Sequence, residues 1–99
     1  WYFAGFLPVK SGKRAARLQR LLEMKEPFVV YEGPHRIDRL LQELANMEPA
    51  AKLCIGREMT KTYEEFIVGS AAELASKTST GALTLKGEFT ILVSPPENS

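Results

Sequence analysis

One cysteine and one histidine in 99 residues leave two classes of protein out of reach. Cys54 has no partner for an intramolecular disulfide, so this is not a disulfide-stapled scaffold, and one Cys with one His is too few for a self-contained structural zinc site. A reducing cytoplasm is the expected setting. No apolar run approaches the ~20 residues that a membrane-spanning helix needs. The amino end also lacks the basic, apolar, small-residue order of a signal peptide. Phosphate-cradling glycine loops are missing: Ser11-Gly12-Lys13 does not have P-loop spacing, and no GxGxxG occurs. A formal charge of +1 gives no global hint of a partner. There is no internal repeat and no low-complexity tract.

What is present is uneven. The first 20 residues carry Lys10, Lys13, Arg14, Arg17 and Arg20 and no acid, a local basic end that could track a phosphate backbone or be a solvated helix face. Residues 1–99 are expected to form a single domain with a flexible tail at 95–99. A chain of this length buries roughly 60 to 65% of its unfolded surface, with little room for a deep enclosed site. It begins without Met, in what reads as the middle of an element, so a domain of a longer protein is expected.

The aromatic and apolar run Trp1 to Leu7 reads as a strand ended by Pro8 and Ser11-Gly12. Ala15, Leu18, Leu21 and Leu22 recur at helical spacing, with Lys13, Arg17 and Arg20 on another face, predicting a helix over about 13–24. Phe28 to Tyr31 suits a buried strand. Gly33-Pro34 ends it, and Ile37, Leu40, Leu41 and Leu44 predict a helix to about 47 that has His35 and Arg36 in its first turn. Strands follow at Lys52 to Gly56 and Phe66 to Val68. Ser70 with Glu73 is a capping box for a short helix over Ala71 to Ala75, the stretch KTSTGALTLKG is a loop, and Glu88 to Val93 is the last strand. The order β-α-β-α-β-β-α-β implies an α/β domain with a mixed, roughly five-stranded sheet and flanking helices. In such sheets ligands bind beyond the carboxyl ends of strands, which singles out the loop after Leu7, the YEGPHR turn and the REMTK segment.

His35 is the chain's one imidazole and could act as a base, or simply be satisfied in a first helical turn. Glu32 and Glu58, each at a strand end, could do acid-base work or hold a ribose hydroxyl; equally, they could pair with Arg36, Arg57 or Lys61. Cys54, mid-strand among apolar neighbours, reads as a small inert hydrophobe. Phe3 and Phe6 could stack on bases or belong to the core.

Four segments in order, FAGFLPVKSGKR, YEGPHR, GREMTKTYEEFIVG and LKGEFTILV, together resemble the carboxyl-terminal half of the ribosomal RNA small subunit methyltransferase I family, in the tetrapyrrole methylase superfamily. The resemblance implies an S-adenosylmethionine-dependent transfer of a methyl group to the ribose 2′-hydroxyl of a cytidine in 16S rRNA. It also implies a homodimer of two-domain subunits, with the cofactor between the domains and this chain as the second domain, inactive alone. Tyr31, Glu32 and Gly33 would approach the cofactor, with Cys54, Ile55, Gly87 and Glu88 completing this side of its pocket. Glu32 or Glu58 would assist proton removal. Lys10, Arg14, Arg36, Arg57 and Lys61, at basic positions of the family motifs, would face RNA, and Lys13 and Arg17 of the basic amino end would join them. Three other roles remain open: a methyltransferase of the superfamily acting on a tetrapyrrole or another small molecule, a noncatalytic RNA-binding module, and a domain used mainly to dimerise.

Overall fold

The computed structural model describes residues 1–58, 64–82 and 87–96. The elements run β1 (Tyr2–Phe6), α1 (Ser11–Glu23), β2 (Phe28–Glu32), α2 (Ile37–Met47), β3 (Lys52–Glu58), β4 (Glu64–Ser70), α3 (Ala71–Ser79) and β5 (Phe89–Ser94). One five-stranded sheet has the order β1-β2-β5-β3-β4, with β1 parallel to β2 and β5 antiparallel to both of its neighbours. Consequently β1, β2 and β3 all point the same way. The loop after Leu7, the turn after Glu32 and the end of β3 share one edge of the sheet with Gly87-Glu88, which lead into β5.

Side chains alternate across the sheet, and burial alternates with them. Phe28 and Val30 of β2, Leu53 and Ile55 of β3, and Phe89, Ile91 and Val93 of β5 are buried with Leu18, Leu21, Leu40, Leu41, Leu44 and Leu74 from the helices. The three helices therefore cover one face. The other face is open yet apolar: Phe3, Phe6, Tyr31, Phe66, Val68 and Leu92 are all exposed.

Several boundaries differ from the sequence expectation. β3 and β4 run on through residues that read as a polar loop, because the antiparallel pair continues in register to Glu58 opposite Glu64, with Arg57 ion-paired to Glu65 directly across the ladder. α3 starts at the predicted capping box, Glu73 N–H to Ser70 Oγ and Ser70 N–H to Glu73 Oε1 both at 3.1 Å. It then continues to Ser79 where a loop was expected, since Gln42 Nε2 of α2 donates to the Ala75 carbonyl at 3.2 Å and to Ser79 Oγ at 2.8 Å and Leu74 and Ala75 anchor the preceding turn in the core. The helix predicted to begin near Pro34 starts at Ile37. Arg36 and Ile37 N–H both bond to the Gly33 carbonyl, so His35 and Arg36 form a turn before the helix rather than its first turn. The middle of the REMTK segment, part of the LTLK loop and the end of the tail lie outside the described residues.

Candidate functional site

The registers place Phe6 beside Tyr31, Tyr31 beside Thr90, Thr90 beside Gly56 and Gly56 beside Phe66, a single row crossing all five strands on the open face. Its ends are aromatic and its middle is small, so the middle is low. Those five residues, with Cys54, Leu92, Glu88 and Phe89, line an open groove of about 810 Å³. At an inter-strand spacing of about 4.8 Å, Tyr31 and Phe66 stand three strands and on the order of 14 Å apart, a gap that suits a nucleoside-sized body better than one ring. Phe3 and Phe6 pack edge-on against Tyr31, with ring centroids 5.3 and 5.5 Å away, and fix the aromatic wall.

At the sheet edge the groove gains polarity. Gly33 lies close to Glu88: a Cβ added to Gly33 would sit 3.8 Å from Glu88 Oε2. Gly87 has φ +103°, a conformation that side chains rarely adopt, and the stem of Arg57 lies against it. Arg57 Nε is buried and has no hydrogen-bond partner among the described residues, while the other end of the guanidinium pairs with Glu65.

Of the residues expected at the cofactor, Tyr31, Cys54 and Glu88 line the groove and Gly33 and Gly87 border it. Two do not reach it. Ile55 is fully buried on the helix side, because neighbours along a strand face opposite ways and Cys54 takes the groove side. Glu32, 3% exposed, also turns to the helix side, where its Oε2 accepts from Arg14 Nη2 at 2.7 Å. A carboxylate so engaged is not free to take a substrate proton. Glu58 ends β3 at the groove edge by its backbone position.

Arg14 corrects the RNA-facing set. It is 1% exposed, and its Nε also donates to Glu43 Oε1 at 2.7 Å, so its guanidinium belongs to the interior. Burial on its own opposes the Arg14 charge, and the hydrogen bonds to Glu43 and Glu32 outweigh it, leaving the guanidinium pKa above its ordinary value. Lys10, Lys13 and Arg36 are exposed. Arg17 is half-buried, bonding the Tyr2 hydroxyl at 3.2 Å and lying over its ring. Lys61 lies outside the described residues.

Phe6, Gly56, Phe66, Thr90 and Leu92 were not read from the sequence as this groove. The available signal was that Cys54, Leu92, Phe66 and Val68 are apolar at positions alternate to the core, which marks a sheet with work for both faces. Among the described residues, no cluster of three or more His, Cys, Asp or Glu could hold a metal, and no helix is long and apolar enough to cross a membrane.

The fold is one shared with solved methyltransferase structures. The chain superposes on uroporphyrin-III C-methyl transferase from Thermus thermophilus, crystallised with S-adenyl homocysteine, with a TM-score of 0.61 and 12% identity, covering 95% of this chain and 41% of that one. The methyltransferase CobJ gives 0.64 at 15% identity, over 100% of this chain and 44% of that one. No protein-family model matches.

Sequence relatives are more particular. Ribosomal RNA small subunit methyltransferase I from Coprothermobacter proteolyticus is 41% identical over 97 residues, 98% of this chain and 42% of its own length. The protein of that name from Borrelia garinii subsp. bavariensis is 45% identical over 92 residues, 93% of this chain and 41% of its own length. That from Neisseria meningitidis serogroup B is 34% identical, over 99% of this chain and 34% of its own length. The chain is thus homologous, over nearly all its residues, to a segment of ribosomal RNA small subunit methyltransferase I, and it spans well under half of these relatives.

Proposed function

We propose that the chain is the second domain of an S-adenosylmethionine-dependent rRNA methyltransferase, and that the groove across Phe6, Tyr31, Thr90, Gly56 and Phe66 is its wall of the cofactor cleft. The carrying observation is that row: an apolar trough of nucleoside dimensions, set at the shared strand edge of a chain homologous to rRNA methyltransferases. Its residues fit such a cofactor, with aromatic walls, the small floor of Gly56 and Thr90, and the exposed carboxylate of Glu88 at the end. When bound, the cofactor supplies an activated methyl group.

The chain's own part is binding, orientation and exclusion of water. Tyr31, braced by Phe3 and Phe6, offers a fixed apolar surface, and Gly33 and Gly87 let the backbone approach closely. Holding the reacting atoms in line contributes several kcal/mol toward the barrier. The acceptor is a cytidine ribose 2′-hydroxyl of 16S rRNA, and Glu58, not the Arg14-bound Glu32, takes the role of assisting its deprotonation. Lys10, Lys13 and Arg36 face the phosphates, joined by Arg57 and Lys61. The whole protein acts in the cytoplasm as a homodimer.

Calorimetry with S-adenosylmethionine tests this directly. The full-length protein binds and methylates small ribosomal subunits, while the 99 residues alone do not bind in the micromolar range. Micromolar binding by the isolated chain sinks the half-site reading. The likeness to uroporphyrin-III C-methyl transferase favours a second reading, a small-molecule acceptor, which methyl transfer to a tetrapyrrole but not to subunits would establish.

A further inference from the structure

Arg14 poses a question that the groove does not answer. A buried arginine held by two carboxylates loses solvation that an apolar side chain of the same size would not lose, so stability alone is a poor reason for it. Its surroundings suggest another. From Pro8 to Arg17, Arg14 is the one buried residue; the apolar anchors of α1, Leu18, Leu21 and Leu22, all follow it. The amino end of α1 also lacks local support. Lys10 at the N-cap makes no side-chain cap bond, the first turn has no acid, and Gly12 has open space around it. By ordinary helix energetics that end should fray.

The polar contacts form a chain instead. Glu32 Oε2 accepts from Arg14 Nη2, and Arg14 Nε donates to Glu43 Oε1, both at 2.7 Å. Glu43 Oε2 lies 3.7 Å from Arg39 Nε, and Arg39 Nη2 donates to Ser11 Oγ at 2.8 Å. Three elements are tied by it: β2 at the residue between groove-lining Tyr31 and groove-bordering Gly33, α2, and α1 at two points one turn apart.

The geometry points to Arg14 as a positioning residue: the Glu32, Arg14, Glu43, Arg39, Ser11 network fixes the basic first turn of α1, with Lys10 and Lys13, at a set distance from the groove edge. Resting on the reading of the groove as a methyltransferase half-site, this makes the network the device that registers a bound RNA backbone against the reacting centre. Arg14 meets the two carboxylates through two different nitrogens of one planar group, a fixed geometry that the single ammonium nitrogen of a lysine does not reproduce.

The test uses the full-length protein with Arg14→Lys, which keeps the charge but not the fork, and Ser11→Ala, which removes one acceptor and no charge. Read-outs are amide hydrogen exchange, cofactor affinity, and KM for small ribosomal subunits. In Arg14→Lys, exchange over residues 11–16 speeds up while Leu18 to Leu22 keep their protection. KM for subunits rises about tenfold with cofactor affinity within about twofold. Ser11→Ala shifts the same quantities in the same sense, by about two- to threefold. Faster exchange with unchanged KM in both variants reduces Arg14 to a structural tie and overturns the proposal, as does unchanged exchange. If the wild-type protein methylates no subunits, the half-site reading fails and this inference falls with it; an active wild type with indistinguishable variants removes this inference alone.

Discussion

Gly56→Val separates the groove from the fold. A Cβ at Gly56 would lie 3.3 Å from Phe66 Cε1, 3.6 Å from Phe66 Cδ1 and 3.7 Å from the Thr90 carbonyl oxygen. The first of these is a few tenths of an ångström too tight, but Phe66 is 62% exposed and its ring can give way outward. Gly56 is outside the left-handed region occupied by Gly5, Gly81 and Gly87, so no backbone strain follows. Removing a strand glycine regains about 0.5–1 kcal/mol of backbone entropy, comparable to the cost of moving the ring. Stability therefore stays within about 1 kcal/mol of the parent, a melting shift of no more than about 2–4 °C for a full-length protein more than twice as long as this chain. The groove is less forgiving, because the valine methyls occupy the low middle of the row. Overpacking costs about 1–3 kcal/mol. Cofactor affinity should then fall about 5- to 150-fold. Titration calorimetry on the full-length protein, beside a thermal melt, reads both quantities. Affinity within about threefold of the parent at unchanged stability would refute the placement of the cofactor on this row.

Ile91→Ala, in the central strand and fully buried, should cost about 2–5 kcal/mol by urea unfolding. Ser70→Ala removes one half of the α3 capping box and should cost about 1 kcal/mol in the same assay. Glu73 has its carboxyl held below the usual carboxylate range, first by the Ser70 backbone N–H and then by the Ser70 side chain, so its contribution is complete above its unfolded pKa and is lost as pH falls through the lower folded one. A stability–pH curve for Glu73→Gln should accordingly lose part of its acid-side slope, and an unchanged slope would discount the box. Lys13→Glu with Arg36→Glu, both on exposed side chains, should weaken binding to small-subunit RNA and flatten its salt dependence by about 1 for each phosphate left without its cation, with stability within about 0.5 kcal/mol.

Periodicity carried the fold. Leu18, Leu21 and Leu22 at helical spacing, the paired repeat of Ile37, Leu40, Leu41 and Leu44, and the Ser70 to Glu73 box each mark an element that forms there. The strand-end rule singled out the turn that holds Tyr31 and Gly33, whereas Gly87 and Glu88, at the amino end of β5, were reached only through the family resemblance. Pairings between distant residues were not legible. Arg14 and Glu32 are 18 positions apart and Arg14 and Glu43 are 29 apart, so no window on the chain connects them, and Glu32 has nearer arginines that compete for it on spacing alone. The row from Phe6 to Phe66 was hidden likewise, because it follows from strand order and register, which place β5 between β2 and β3. Ile55 differs from expectation for a simpler reason: it is adjacent to groove-lining Cys54, and adjacent strand residues face opposite sides.

That strand order has a consequence for how the chain comes together. β5 is last in sequence and third in the sheet, hydrogen-bonded to β2 on one side and β3 on the other. Until residues 89–94 arrive, the sheet exists as two separate ribbons, β1 with β2 and β3 with β4, each with a bare edge where its neighbour will be. Closing it requires pairing between residues far apart in the chain, the slow kind of step, and unpaired edges are open to wrong partners meanwhile. On a translating ribosome the sheet would therefore become whole only when its final segment emerges. A chain stopped before Phe89 would be two unjoined halves of a sheet rather than a shortened domain.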